Sequence, residues 1–145
     1  MKKFLIAGID PGTTSGLAII KNDMVIQECI QGSPDMIWNI LLEHKIKLVA
    51  IEKATSRPKQ GVVSTCTFCK SFGYWLGILD ALRLGYVIVS PLRWKRVLDS
   101  GKRDKRHVIE FVDRMFNIKL KLKEHHKAEA IVIAYWGLKY FLKEF

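Results

Sequence analysis

Two short apolar runs in this chain each end in a carboxylate. Leu5-Ile6-Ala7-Gly8-Ile9 stops at Asp10, and Leu48-Val49-Ala50-Ile51 stops at Glu52. Short apolar runs bounded by polar residues read as buried strands. An acid closing such a run lies at or near a sheet, where an uncompensated charge is costly. Each could simply face solvent. If the two strands are neighbours, however, the acids have to be considered together.

The rest of the pattern makes them neighbours. The apolar run from Phe4 to Ile9 is stopped by Pro11-Gly12, and runs from Gly16 to Lys21 and Met24 to Gln31 flank Asn22-Asp23, which has hairpin chemistry. Ser33-Pro34 supplies an N-cap and an N1 proline for a helix carrying Ile37, Ile40, Leu41 and His44. After the strand Leu48 to Ile51, a polar, basic loop (Thr55 to Val62) leads to a helical pattern from Val63 to Leu84, with Gly85 as its expected C′ stop. Tyr86 to Val89 is a further buried strand. A short helix (Leu92 to Leu98), a basic loop, a helix (Lys105 to Phe116), a lysine-rich loop and a final helix from His125 to the C-terminus complete the chain. No repeat, low-complexity tract or linker interrupts it, so residues 1–145 are expected to form one domain. The fourth and fifth strands each arrive through a helix, as parallel strands require. The expected architecture is α/β: a mixed five-stranded sheet, three strands antiparallel and two parallel, with helices on its faces. In this order the first and fourth strands adjoin, about 4.8 Å apart. Asp10 and Glu52 would then repel unless a cation lay between them. Oxygen ligands suit Mg²⁺ or Mn²⁺.

The final helix adds a third group. In Glu124-His125-His126-Lys127-Ala128-Glu129-Ala130, Glu129 stands among apolar residues, and His126 and His125 precede it by three and four positions, on its helical face. A favourable helix dipole accounts for Glu124 at the opening turn but not for Glu129. The set is expected to face back toward the sheet.

Charge points to a polyanionic partner. The chain carries 24 Lys and Arg against 14 Asp and Glu, a net charge of +10, which favours nucleic acid through counterion release. Arg93, Lys95, Arg96, Lys102, Arg103, Lys105 and Arg106 fall in one short stretch; Lys127 follows, and Arg57 and Lys59 sit in the loop after Glu52. In the expected strand order much of this charge rims the carboxylates, a placement suited to phosphate contacts. Cys66 and Cys69 have CxxC spacing but lack a second ligand pair for zinc, so they are expected as buried helical thiols; with Cys29 they make no disulfide framework, consistent with a reducing interior. Phe68, Phe72, Tyr74 and Trp75 on the long helix are expected in the core or at a subunit interface rather than stacked on bases. The opening Met1-Lys2-Lys3 and the six residues before Asp10 are too short for a signal or membrane segment, so no membrane association is expected.

Ile9-Asp10-Pro11-Gly12 with Gly16, Ala50-Ile51-Glu52, and His126-Lys127-Ala128-Glu129-Ala130 together resemble the three motifs of RuvC-type Holliday-junction resolvases, in order and across nearly the whole chain. Pro91-Leu92-Arg93-Trp94-Lys95 and Asp104-Lys105 are similar to phage-type members. The resemblance implies an RNase H-like fold and a metal-dependent endonuclease that resolves four-way DNA junctions as a homodimer, in the cytoplasm of a bacterial or phage-infected cell. It implies that Asp10, Glu52, Glu129 and a histidine hold two Mg²⁺ or Mn²⁺ ions, with no small-molecule cofactor. Many relatives carry Asp where this chain has a histidine. His126 fits the i,i+3 register, while His125 stays open because phage-type relatives often place a histidine at i,i+4. The long helix from Val63 to Leu84 is the expected dimer interface. The opening Gly8-Ile9-Asp10 is shared across the RNase H-like superfamily, so another branched DNA or a structured RNA is the alternative substrate, and a non-catalytic junction-binding protein a third reading. Asp10 to Ser15 also resembles the phosphate turn of actin-like sugar kinases, but those need a second lobe that 145 residues would not hold.

Overall fold

The computed structural model describes residues 4–99 and 101–144; the opening Met1-Lys2-Lys3, Ser100 in the basic loop and the terminal Phe145 lie outside them. The strands are β1 (Leu5–Asp10), β2 (Ser15–Lys21), β3 (Met24–Gly32), β4 (Leu48–Glu52) and β5 (Gly85–Val89). The helices are α1 (Pro34–Glu43), α2 (Val62–Ala81), α3 (Pro91–Trp94), α4 (Lys105–Phe116) and α5 (His125–Leu142), with 3-10 turns at Lys95–Val97 and Leu122–Glu124. The sheet order is β3-β2-β1-β4-β5. β1 pairs antiparallel with β2 and β2 with β3, while β4 runs parallel to both β1 and β5. This is the mixed five-stranded sheet expected from the sequence.

The hairpin between β2 and β3 turns on Asn22 and Asp23, both at positive φ (50° and 65°), as a tight turn matching strand twist requires. Side chains alternate across β1. Ala7 and Ile9 join Ile37, Leu41, Trp75 and Leu79 under α1 and α2, whereas Ile6 meets Ala134 and Leu138 of α5. α5 therefore covers one face of the sheet, with α4 beside it through Val108, Phe111 and Val112. α4 is capped by Asp104, whose side chain accepts from the His107 N–H at 3.0 Å, and ends at Asn117 in the left-handed conformation (φ 55°).

Two expectations fail. α2 does not run to Leu84 and stop on Gly85. It ends at Ala81, Arg83 takes the left-handed conformation (φ 55°), and the Leu84 N–H closes on the Leu79 carbonyl. Gly85 instead opens β5. A non-glycine left-handed terminator such as Arg83 leaves no composition signal, whereas the glycine two residues on does. Nor are Cys66 and Cys69 buried: both are exposed, because α2 turns only Ser71, Trp75 and Leu79 fully inward. Among the described residues no helix is long and apolar enough to cross a membrane.

Candidate metal centre

The alternation that buries Ile9 and Ile51 on the α2 side turns their successors to the opposite face. Ile9 pairs with Ile51 in the parallel β1–β4 register, so Asp10 and Glu52 emerge side by side beneath α5. Both are almost fully buried, with 3% and 7% exposure. α5 can lie this close because the strands are notched by glycine. A Cβ on Gly8 would stand 2.2 Å from the Ala130 carbonyl oxygen and 2.4 Å from the Ala134 nitrogen; one on Gly16 would stand 2.1 Å from the His126 carbonyl oxygen. These are backbone atoms and cannot rotate aside. The two notches press the first turns of α5 onto β1 and β2.

That approach brings the third acid in. Glu129 and Asp10 share a side-chain hydrogen bond, and His126 Nδ1 lies 2.6 Å from Asp10 Oδ2. His125, His126 and Glu129 each offer a ligand atom within 4.8 Å of the others. His125 Nδ1 is 3.2 Å from the Leu122 carbonyl oxygen, and the two imidazoles lie 4.0 Å apart. Burial pushes Glu52 up to about 7, against a hydrogen bond from Trp94 and with the Glu129 charge adding to the rise. Glu129 is likewise held at about 7 by burial, the Asp10 charge and their shared hydrogen bond. Burial, then the charge of Glu52, raises Asp10 well above the ordinary carboxylate range. Burial depresses both histidines, with each further lowered by Lys105. Three crowded carboxyls whose proton affinity is raised, beside imidazoles whose proton affinity is lowered, form a donor set a divalent cation would satisfy. Three oxygen ligands suit Mg²⁺ or Mn²⁺; an imidazole tilts the set toward the later metal.

Other side chains hold this group in place. The Trp94 indole N–H, fully buried, donates to Glu52 Oε2 at 2.5 Å. The Asp10–Ser15 turn is tied to α2: Ser71 Oγ accepts from the Gly12 N–H at 2.9 Å and donates to its carbonyl at 2.8 Å. Trp75 Nε1 donates to Ser15 Oγ at 3.1 Å, and Ser15 donates to the same Gly12 carbonyl at 2.9 Å. None of these anchors was identified from sequence. The one available signal was that a buried Glu52 needs a donor, and a tryptophan in a nearby motif could supply it.

The predicted phosphate contacts divide. Lys95 and Lys105 both act electrostatically on Asp10, and Lys95 and Arg57 on Glu52, so these three flank the acids. Lys59, Lys102, Arg103 and Arg106 are exposed. Lys127 pairs with Glu124 at 3.1 Å. Arg93 points elsewhere, its guanidinium 5.5 Å from the Trp136 ring centre.

No family model and no curated protein matches this sequence. Solved structures do match in shape. RuvC of Thermus thermophilus in complex with a Holliday junction substrate aligns with a TM-score of 0.75 at 19% identity, covering 97% of this chain and 96% of that one. A second Thermus thermophilus RuvC structure aligns with a TM-score of 0.70 at 20% identity, over 97% of each chain. The yeast mitochondrial Holliday junction resolvase Ydc2 gives 0.53 at 18% identity, over 97% of this chain and 80% of that one. In overall shape and near end-to-end extent, the chain has the RNase H-like fold in the form found in these RuvC structures.

Proposed function

We propose that the chain is a metal-dependent endonuclease that resolves four-way DNA junctions, acting as one nuclease domain in a homodimer. The observation that carries this reading is the convergence of Asp10, Glu52, Glu129 and His126 from β1, β4 and α5 into one shielded group, with Lys95, Lys105 and Arg57 beside it. The resolvases of similar shape, one of them bound to a Holliday junction, supply the substrate class.

Asp10, Glu52 and Glu129, with His126 as fourth ligand, would hold two Mg²⁺ or Mn²⁺ ions. Bound ions of this kind supply Lewis-acid activation of water and offset charge on the leaving oxygen of a phosphodiester. Trp94 fixes one oxygen of Glu52 and leaves the other available. Lys95 and Lys105 lie near enough to the acids to hold the phosphates of the strand to be cut. The hydrogen bonds from Ser71 and Ser15 keep the Asp10 turn from shifting as that strand arrives. Two symmetric incisions need two such groups. α2 offers the face for a second copy: Val62 and Val63 are about four-fifths exposed, Tyr74 about half, and a Cβ on Gly73 or Gly77 would meet nothing within 4 Å.

The test is incubation with a labelled immobile four-way junction, a plain duplex, a flap and an RNA hairpin, each with Mg²⁺, Mn²⁺ or EDTA. Paired nicks in the junction, only with metal, are expected. Preferential cutting of the flap or hairpin would replace the substrate assignment, and junction binding without any cutting would replace the enzyme assignment.

A further inference from the structure

A cleft with aromatic walls and a cationic rim lies farther along α5 from the acids. It encloses about 410 Å³ and is lined by Arg93, Arg96, Trp136, Tyr140 and Lys143. Three of the five are cations, none is an acid, and the other two are aromatic. The aromatics are already stacked: the Trp136 and Tyr140 rings lie 5.1 Å apart and 18° from parallel, and the Arg93 guanidinium lies against Trp136. Trp136 is buried at 3% exposure, while Tyr140, at 41%, is the member open to solvent. A flat aromatic surface beside three positive charges matches a nucleotide, with a base to stack and a phosphate to neutralise.

The position on the helix ties the cleft to the acids. Trp136, Tyr140 and Lys143 follow Glu129 by seven, eleven and fourteen residues within or just beyond α5, which returns each to nearly the same helical face. At 1.5 Å per residue, Tyr140 stands about 16 Å from Glu129, the rise of roughly five nucleotides in a stacked strand. Between them lie α3 and the following 3-10 turn, whose cations divide. Lys95 acts on Asp10 and Glu52, whereas Arg93 and Arg96 line the cleft.

We propose that this cleft is a base-stacking subsite for an unpaired nucleotide on the strand leading to the candidate metal centre, within a few nucleotides of the cut. Arg93, Arg96 and Lys143 contact its phosphates, and Tyr140 stacks on its base, backed by Trp136. The inference deepens the nuclease reading and rests on it for the course of the strand, but not for the occupancy of the cleft.

The test needs no cleavage. Single-stranded oligonucleotides bearing 5-iododeoxyuridine, and a junction bearing it near the crossover, are irradiated with the full chain in EDTA, and the adducts are mapped by peptide mass spectrometry. An adduct on Tyr140 or Trp136 is expected. By fluorescence anisotropy, Tyr140→Leu should weaken oligonucleotide binding roughly tenfold, while Tyr140→Phe, which keeps the ring, should bind like the parent. Arg93→Ala with Arg96→Ala should lower the dependence of log affinity on log salt by about 0.7 for each lost strand contact. Adducts confined to other residues, or parental affinity in Tyr140→Leu, would overturn the subsite. The two readings fail separately. A chain that cuts no DNA in any metal but still cross-links at Tyr140 keeps the subsite and loses the nuclease. A chain that cuts junctions but shows no Tyr140 dependence keeps the nuclease and loses the subsite.

Discussion

Glu52 and Glu129 are costly residues in the metal-free chain, and the cost can be read as a function of pH. Glu52 and Glu129 titrate near 7 in the fold, against 4.5 for an ordinary glutamate. Between those values the folded chain holds protons that the unfolded chain has released. The stability of the metal-free protein therefore falls as pH rises from about 4.5 to about 7, then levels off. Glu52→Gln keeps the shape and an oxygen for the Trp94 indole but removes the charge. It should remove the Glu52 share of that dependence in EDTA, leaving the Glu129 share, and raise the thermal midpoint at pH 7.5 by about 4 °C. Cleavage should drop by orders of magnitude in Glu52→Gln and in Asp10→Asn, because the metal ligands are lost. A midpoint that rises with pH in the parent, or near-parental nicking by either variant, would break the assignment. The histidine makes a separate prediction. Imidazole prefers Mn²⁺ to Mg²⁺, so the parent should cut faster with Mn²⁺, and His126→Asp should narrow the difference. His126 bonds to Asp10, whereas His125 meets the Leu122 carbonyl. If His125→Asp alone changes the metal preference, the ligand is the other ring.

At the scale of elements, the contact between α5 and the β1–β2 hairpin delivers the histidine and the third acid. Gly16→Ala places a methyl carbon 2.1 Å from the His126 carbonyl oxygen; only a shift of the helix or the hairpin relieves it. Such overpacking costs about 1–3 kcal/mol. The shift falls at His126, so cleavage measured well below the melting temperature should fall at least tenfold, with the variant still folded by circular dichroism. Full activity with an unchanged midpoint would mean that α5 does not need this notch. The motif glycine was visible in the sequence; its partner was not, since spacing cannot say which helix will press on a strand. The strands themselves were legible because two-residue alternation and runs ending in Asp10 and Glu52 leave little choice of face. α2 was legible as a helix but not in its orientation. It is apolar nearly all round, so no stripe separated Trp75, expected inside or at an interface and found buried, from Cys66 and Cys69, expected buried and found exposed. Trp94 escaped for a related reason. Its hydrogen bond to Glu52 spans 42 residues, and no periodicity records it.

For the whole molecule the net charge of +10 is useful only where it lies within reach of one strand path. Lys105, at the start of α4, acts on Asp10 and on both histidines, and Lys102 and Arg106 are exposed beside it. These residues should contact phosphates without reading sequence. Replacing all three with Ala should then weaken binding to every branched DNA alike. The slope of log affinity against log salt should fall by about 0.9 for each lost duplex contact, close to 3 in total. Asp10→Asn leaves this rim intact, and at 3% exposure Asp10 presents almost no surface for phosphate to meet. The variant's junction affinity in EDTA should equal that of the parent, while its nicking rate in Mn²⁺ collapses. Gel-shift titrations across a salt series, for the parent, the triple variant and Asp10→Asn, separate the two functions of the surface. An unchanged slope in the triple variant would remove the 102–106 segment from the interface. Loss of metal-free binding in a folded Asp10→Asn would show that the carboxylates themselves take part in holding DNA, and binding and cutting would no longer be separable.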